Sequence, residues 1–265
     1  MTKFRVGAAA ILVGHGCAAP AASPPPPSLE IPRLPRDPGQ IQGAGARFVH
    51  EPARSGSSFH VSVHAASHVP DPSGGEQESE YESELDGAVL EVEAGAPARV
   101  RVRFERNANL YQGILTPTPI DGRTYVASVR DPHVTDDSGG VPTPAEVERV
   151  LDVFPDLGTR SKLEESLPDG PIVVGERRDD LARAVLRILH PRAWTFDDGA
   201  ATLARIDGGE AVFDVRIDAH SAQSTILTVG EVRVRLRPAG LASIVLRGTY
   251  PPNGKLEYRR VVTDR

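Results

Sequence analysis

The chain is poor in the residues that carry most recognisable chemistry. It has one cysteine in 265 residues, so no intrachain disulfide can form and no thiol pair can hold a metal. Aromatics are few: seven Phe, five Tyr and one Trp. The core must therefore rest mainly on Val, Leu, Ile and Ala. Several familiar site patterns are also missing. There is no Gly-x-Ser-x-Gly elbow and no His-Glu-x-x-His, so the local signatures of α/β-hydrolases and zinc peptidases are absent. The formal net charge of −6 argues against nucleic acid as a partner, because phosphate binding needs a basic face.

What is present begins with the amino terminus. Lys3 and Arg5 precede an apolar run, Val6 to Val13, which is far shorter than the ~20 residues a membrane-spanning helix needs. A basic start, a short apolar run and small residues after it describe a secretion signal. The run ends at Gly14-His15-Gly16-Cys17. Residues 1–17 thus resemble the signal peptide of bacterial exported lipoproteins, in which a small residue precedes a cysteine that is acylated. That resemblance implies lipid attachment at Cys17 and a place in the cell envelope, held at a membrane by the lipid. The alternative is cleavage at Ala19-Pro20-Ala21, which leaves a soluble protein. Residues 18–45 are rich in Pro, Ala and Gly and read as a disordered tether.

Residues 46–265 are expected to form a single, mainly antiparallel β domain of the α+β class, with central helices at about 143–190. Three hairpins can be read. The first joins Ala88–Glu93 to Arg99–Phe104 across Gly95-Ala96-Pro97, with Val92, Leu90 and Ala88 facing Val100, Val102 and Phe104. The second turns at Gly208-Gly209, setting Ile206 against Ala211 and Ala204 against Phe213. The third turns at Pro238-Ala239-Gly240, setting Val234 against Ile244 and Val232 against Leu246. Further strands are expected at Phe59–Ala65, Thr124–Val129 and Leu256–Val262. Arg99, Arg101 and Arg103, and likewise Arg233, Arg235 and Arg237, alternate with apolar residues and read as wet strand faces. Thr143-Pro144-Ala145-Glu146 is a capping box with Pro at the first helical position. A short helix is expected at 161–164 and an amphipathic one from Asp179 or Asp180 to Leu189, ended by His190-Pro191. A curled sheet carrying a helical layer loosely resembles the half-barrel carriers of lipids and lipoproteins in bacterial envelopes. That likeness implies a hydrophobic ligand held between sheet and helices.

The candidate chemistry is sparse, and no cofactor is expected. His60, His64 and His68 recur every four residues, but the intervening apolar residues say strand. Neighbouring histidines then lie about 13 Å apart, too far for one ion to bridge. Asp131, His133, Asp136 and Asp137 share one loop and are the candidate metal ligands. Seven acids and no base fall within 71–86 (Asp71, the even-numbered Glu76 to Glu84, and Asp86). This segment reads as a solvated loop, or as a calcium-dependent or basic-partner contact of a protein-interaction module. Gly248 to Lys255 has the outline of a phosphate loop but the wrong spacing and no following helix; Asn253-Gly254 reads as a hairpin turn. The sequence thus points to a non-enzymatic envelope lipoprotein that binds a hydrophobic small molecule. The rival readings are an envelope-protein partner met by the acidic segment or the sheet edges, and a metal-dependent enzyme using the Asp131–Asp137 loop.

Overall fold

The computed structural model describes residues 45–70, 75–189, 194–222, 224–251 and 253–265. Residues 1–44, which hold the expected signal peptide, Cys17 and all of the expected tether but Gly45, lie outside the described residues, as do Asp71 and His190-Pro191. A two-residue strand β1 (Gly45–Ala46) is followed by β2 (Ser58–Pro70), β3 (Glu76–Glu93), β4 (Ala96–Tyr111), β5 (Ile114–Pro117), β6 (Thr124–Ser128) and β7 (Val134–Asp136). The middle holds α1 (Pro144–Val153), α2 (Lys162–Glu165), β8 (Ile172–Val173), β9 (Arg177–Arg178) and α3 (Asp179–Leu189). The chain ends in β10 (Thr195–Asp207), β11 (Glu210–His220), β12 (Thr225–Leu236), β13 (Ala239–Tyr250) and β14 (Gly254–Asp264).

One open antiparallel sheet contains nearly all of these strands. Its order is β7-β6-β4-β3-β2-β14-β13-β12-β11-β10-β9, with β5 paired to β4. The fold is therefore α+β and mainly antiparallel, as the hairpin pattern requires. The two hairpin groups meet where β2 pairs with β14, from Lys255 opposite His68 to Asp264 opposite Phe59. That seam places strands from opposite ends of the described chain side by side at the centre of the sheet.

One face of the sheet carries the helices. On the first half, Val150 of α1 packs with Val61, Leu85, Val102, Phe104 and Tyr125. On the second half, Leu181, Val185 and Leu186 of α3 pack with Leu203, Phe213 and Ile217. The expected helical layer is thus two separate pads, each over its own apolar cluster. Both helices form for the reasons their sequences suggest. Thr143 accepts from the Glu146 backbone N–H, Glu146 accepts from that of Thr143, and Pro144 needs no partner at the first helical position. Asp179 and Asp180 occupy the first turn of α3, where carboxylates meet the positive end of the helix dipole.

The registers depart from the expected ones. The first hairpin turns on Ala94-Gly95, both at positive φ (49° and 83°), so Pro97 sits within β4 opposite Val92. A two-residue turn of this kind matches the twist of its strands. Register shifts between Val89 and Val92 then bring Val89, not Leu90, to the core face. Leu85 faces Phe104 and Gly87 faces Val102. In the second hairpin Ile206 does face Ala211, but a shift after Leu203 sets that residue, not Ala204, against Phe213. The third turns on Arg237-Pro238, and a shift at Arg233/Val234 pairs Val232 with Ile244 and Gly230 with Leu246.

Candidate functional site

The acidic segment is the largest correction. Residues Glu76 to Asp86 are not a loop; they open β3 and lie near the centre of the sheet. The alternation itself is the strand signal. Tyr81, Ser83, Leu85 and Gly87 turn inward, and the even-numbered acids all turn to the face without helices. A column of like charges is costly alone, and the neighbouring strands relieve it. His60, His64 and His68 of β2 stand directly opposite Asp86, Glu82 and Glu78. The contacts are His60 Nδ1 to Asp86 at 2.7 Å, His64 Nε2 to Glu80 at 3.4 Å and His68 Nδ1 to Glu78 at 3.4 Å. On the other flank Arg106 of β4 reaches Glu82 at 2.7 Å. Cross-strand pairs of opposite charge are the sheet's counterpart of helical i,i+4 pairs.

The histidine column was expected as a wet strand face, and it is one. What the sequence did not reveal is that its partners are the acids of the segment that follows. Asp86 accepts from His60 and, at 2.7 Å, from the Arg265 guanidinium. The His60 hydrogen bond, with the Arg265 charge beside it, holds the Asp86 carboxyl below its ordinary range. The arginine stripes are likewise matched at five of their six positions. Arg99 pairs with Glu91, Arg101 with Asp137, Arg103 with Glu105, Arg233 with Glu231 and Arg235 with Asp264. From β4 across to β12, the helix-free face carries a charge lattice of ion pairs, interrupted by uncharged side chains such as the exposed Val245 of β13.

The four loop residues Asp131, His133, Asp136 and Asp137 do not converge on a common point. The Asp136 carboxylate accepts from Ser138 N at 2.9 Å, Ser138 Oγ at 2.7 Å and Gly140 N at 2.7 Å. The Ser138 hydroxyl, then the Gly140 N–H, keep its carboxyl below the ordinary range. This is turn chemistry, in which a short carboxylate closes its own loop. Asp137 is spent on Arg101, His133 Nδ1 lies 3.3 Å from the Ser128 carbonyl oxygen, and Asp131 is exposed. The donor sets that do converge among the described residues are His64 with Glu80 and Glu82, and His68 with Glu76 and Glu78.

A second notable cluster surrounds Glu146. Its Oε1 accepts from Tyr125 Oη at 2.6 Å and Arg123 Nη1 at 2.5 Å. Its Oε2 accepts from Thr143 N at 2.8 Å and Thr143 Oγ1 at 2.6 Å. The residue is 4% exposed. Thr143 and then Tyr125, donating to the carboxylate, pull Glu146 down to about 2. Burial, followed by the Glu146 contact, pushes Tyr125 up to about 12. A carboxylate held this firmly ionised is a poor general acid or base at neutral pH. Its work is to dock α1 onto β6. The open cleft beside it, about 520 Å³, is lined by both polar and apolar groups, including Arg123, Asp136, Ser138, Val141 and Pro142.

The β13–β14 connection closes as a hairpin, with Tyr250 opposite Gly254. A Cβ at Gly254 would lie 2.2 Å from the Tyr250 ring, so glycine there serves close packing and not phosphate.

Comparisons with known proteins add little. No protein-family model matches the chain, and neither does any curated protein. Among solved structures it is similar to one described as lipid–protein interactions in lipovitellin, at 12% identity and a TM-score of 0.33. The match covers 80% of this chain and 25% of the other, so the chain spans about a quarter of that protein's length. At that level of similarity the functional reading has to come from the residues.

Proposed function

We propose that the chain is a non-enzymatic protein of the cell envelope, held at a membrane through a lipid on Cys17, that binds a protein partner with the helix-free face of its sheet. The observation that carries this reading is the charge lattice on that face. Its six-acid column from Glu76 to Asp86 stands on a central strand, exposed at Glu76, Glu78 and Glu84 and half-buried at Glu80, Glu82 and Asp86, beside partner histidines and arginines. A patterned, preorganised charged surface gives orientation and partner choice more than raw affinity. The opposite face is occupied by the protein's own helices.

The anchor rests on the signal-like residues 1–17 and on the Pro-rich residues 18–44, which would give a membrane-fixed domain its reach. Cys17→Ala tests it by cell fractionation. The wild-type protein is expected with membranes and the variant in the soluble fraction. An unchanged distribution contradicts the anchor.

A hydrophobic ligand is the second reading. It is favoured by half-buried apolar side chains bordering the α3 pad, among them Val69, Phe196, Ile206 and Leu241. It calls for a lipid-sized adduct in native mass spectra of protein extracted from membranes.

A further inference from the structure

We propose that the β2–β3 ladder is a twin binding site for a zinc-class divalent cation, one ion at His64/Glu80/Glu82 and a second at His68/Glu76/Glu78. Each set brings one imidazole and two carboxylates together, with donor atoms within 4.8 Å of one another. A tetrahedral ion with bonds of about 2.0 Å places its donors about 3.3 Å apart, which side-chain rotation in these partly exposed residues can reach. Each ion would keep one position for water.

The register explains why the set occurs twice. In an antiparallel pair each residue faces one partner directly and another on the diagonal. His64 faces Glu82 with Glu80 on the diagonal, and four residues on His68 faces Glu78 with Glu76 on the diagonal. The spacing of four on β2 against two on β3 therefore assigns two acids to each histidine. The histidines remain too far apart to share one ion, so the stoichiometry is one ion per histidine.

His60 is the internal control. It faces Asp86 in the same register, but no three-donor set converges there among the described residues, and both Asp86 oxygens are taken, one by His60 and the other by Arg265, each at 2.7 Å. At His64, Arg106 binds Glu82, but a carboxylate has two oxygens and the second is left for an ion. The mixed set of one nitrogen and two oxygens suits zinc and its neighbours better than calcium, which takes oxygen donors and six or more of them.

The test is equilibrium dialysis of the full chain against micromolar ZnCl2 with the metal counted by atomic emission, and circular dichroism checking each variant's fold. The expected result is two ions per wild-type chain, one for either His64→Gln or His68→Gln, none for the double variant, and two for His60→Gln. No saturable binding by the wild type overturns the proposal, as does unchanged stoichiometry in the folded double variant. Displacement of zinc by an equal concentration of Ca2+ would also overturn it, by marking the ladder as a diffuse counter-ion surface.

Discussion

Glu146→Ala is expected to lower the unfolding free energy by about 3 kcal/mol at pH 7. The substitution removes the acceptor of four hydrogen bonds and leaves the Tyr125 hydroxyl, in a side chain 1% exposed, without that partner. It also deletes half of the capping box of α1. The same carboxylate sets a pH dependence. A folded-state value of about 2 against an ordinary 4.5 means that the contribution is fully present above about pH 4.5 and is lost as pH falls toward about 2. The shift corresponds to about 3 kcal/mol, the same contact seen by another route and not a second one. Denaturant unfolding at pH 7 and pH 3 checks both statements. The wild type loses stability between them, and the gap to the variant narrows. A constant gap would show that Glu146 is not held as an ionised hub.

Phe213→Ala is expected to cost about 4 kcal/mol, and to cost it unevenly across the sheet. Phe213 is fully buried on β11, opposite Leu203 and 6.5 Å from the Phe48 ring. It belongs to the apolar cluster under α3, whereas Val102, Phe104 and Tyr125 form the one under α1. Two clusters on one sheet give the halves separate cores joined by the β2–β14 ladder. Amide hydrogen exchange of the variant should therefore show β10 to β13 losing protection first, with β3 and β4 holding. Uniform loss over all strands would mean that the seam transmits the damage and that the clusters act as one core.

Much of this architecture is legible in the residues themselves. Alternation marks the strands because successive side chains point to opposite faces, and Thr143-Pro144-Ala145-Glu146 marks a helix start because its side chains close on backbone groups three residues away. Those are local rules with local causes. Register is not local. The shifts near Val89 and after Leu203 depend on which neighbouring strand needs which face buried, and one residue of shift moves Leu90 out and Val89 in. Ala94-Gly95 carries a weaker turn signal than Asn-Gly, and Pro97 beside it draws attention to the wrong residues.

The acidic segment shows the limit most clearly. Six like charges on one edge look intolerable for a strand as long as the strand is considered alone. Its partners are His60, His64 and His68, Arg106, and Arg265, which lies 179 residues from the Asp86 it binds. The cue was available in the two periodicities, every four and every two, and it becomes a site only once β2 and β3 are laid side by side. The loop acids had the opposite fate. Asp136 and Asp137 resemble ligands by type, yet turn geometry and Arg101 consume them.

The measurement that bears most directly on the helix-free face as the working surface is site-specific photo-crosslinking in intact cells. A photoreactive residue in place of Glu84, on the outer face of β3, is expected to give a discrete adduct with an envelope protein. The same residue in place of Glu148, exposed on α1 across the sheet, is expected to give none. Adducts from position 148 with none from position 84 would contradict the account and move the binding surface to the helical face.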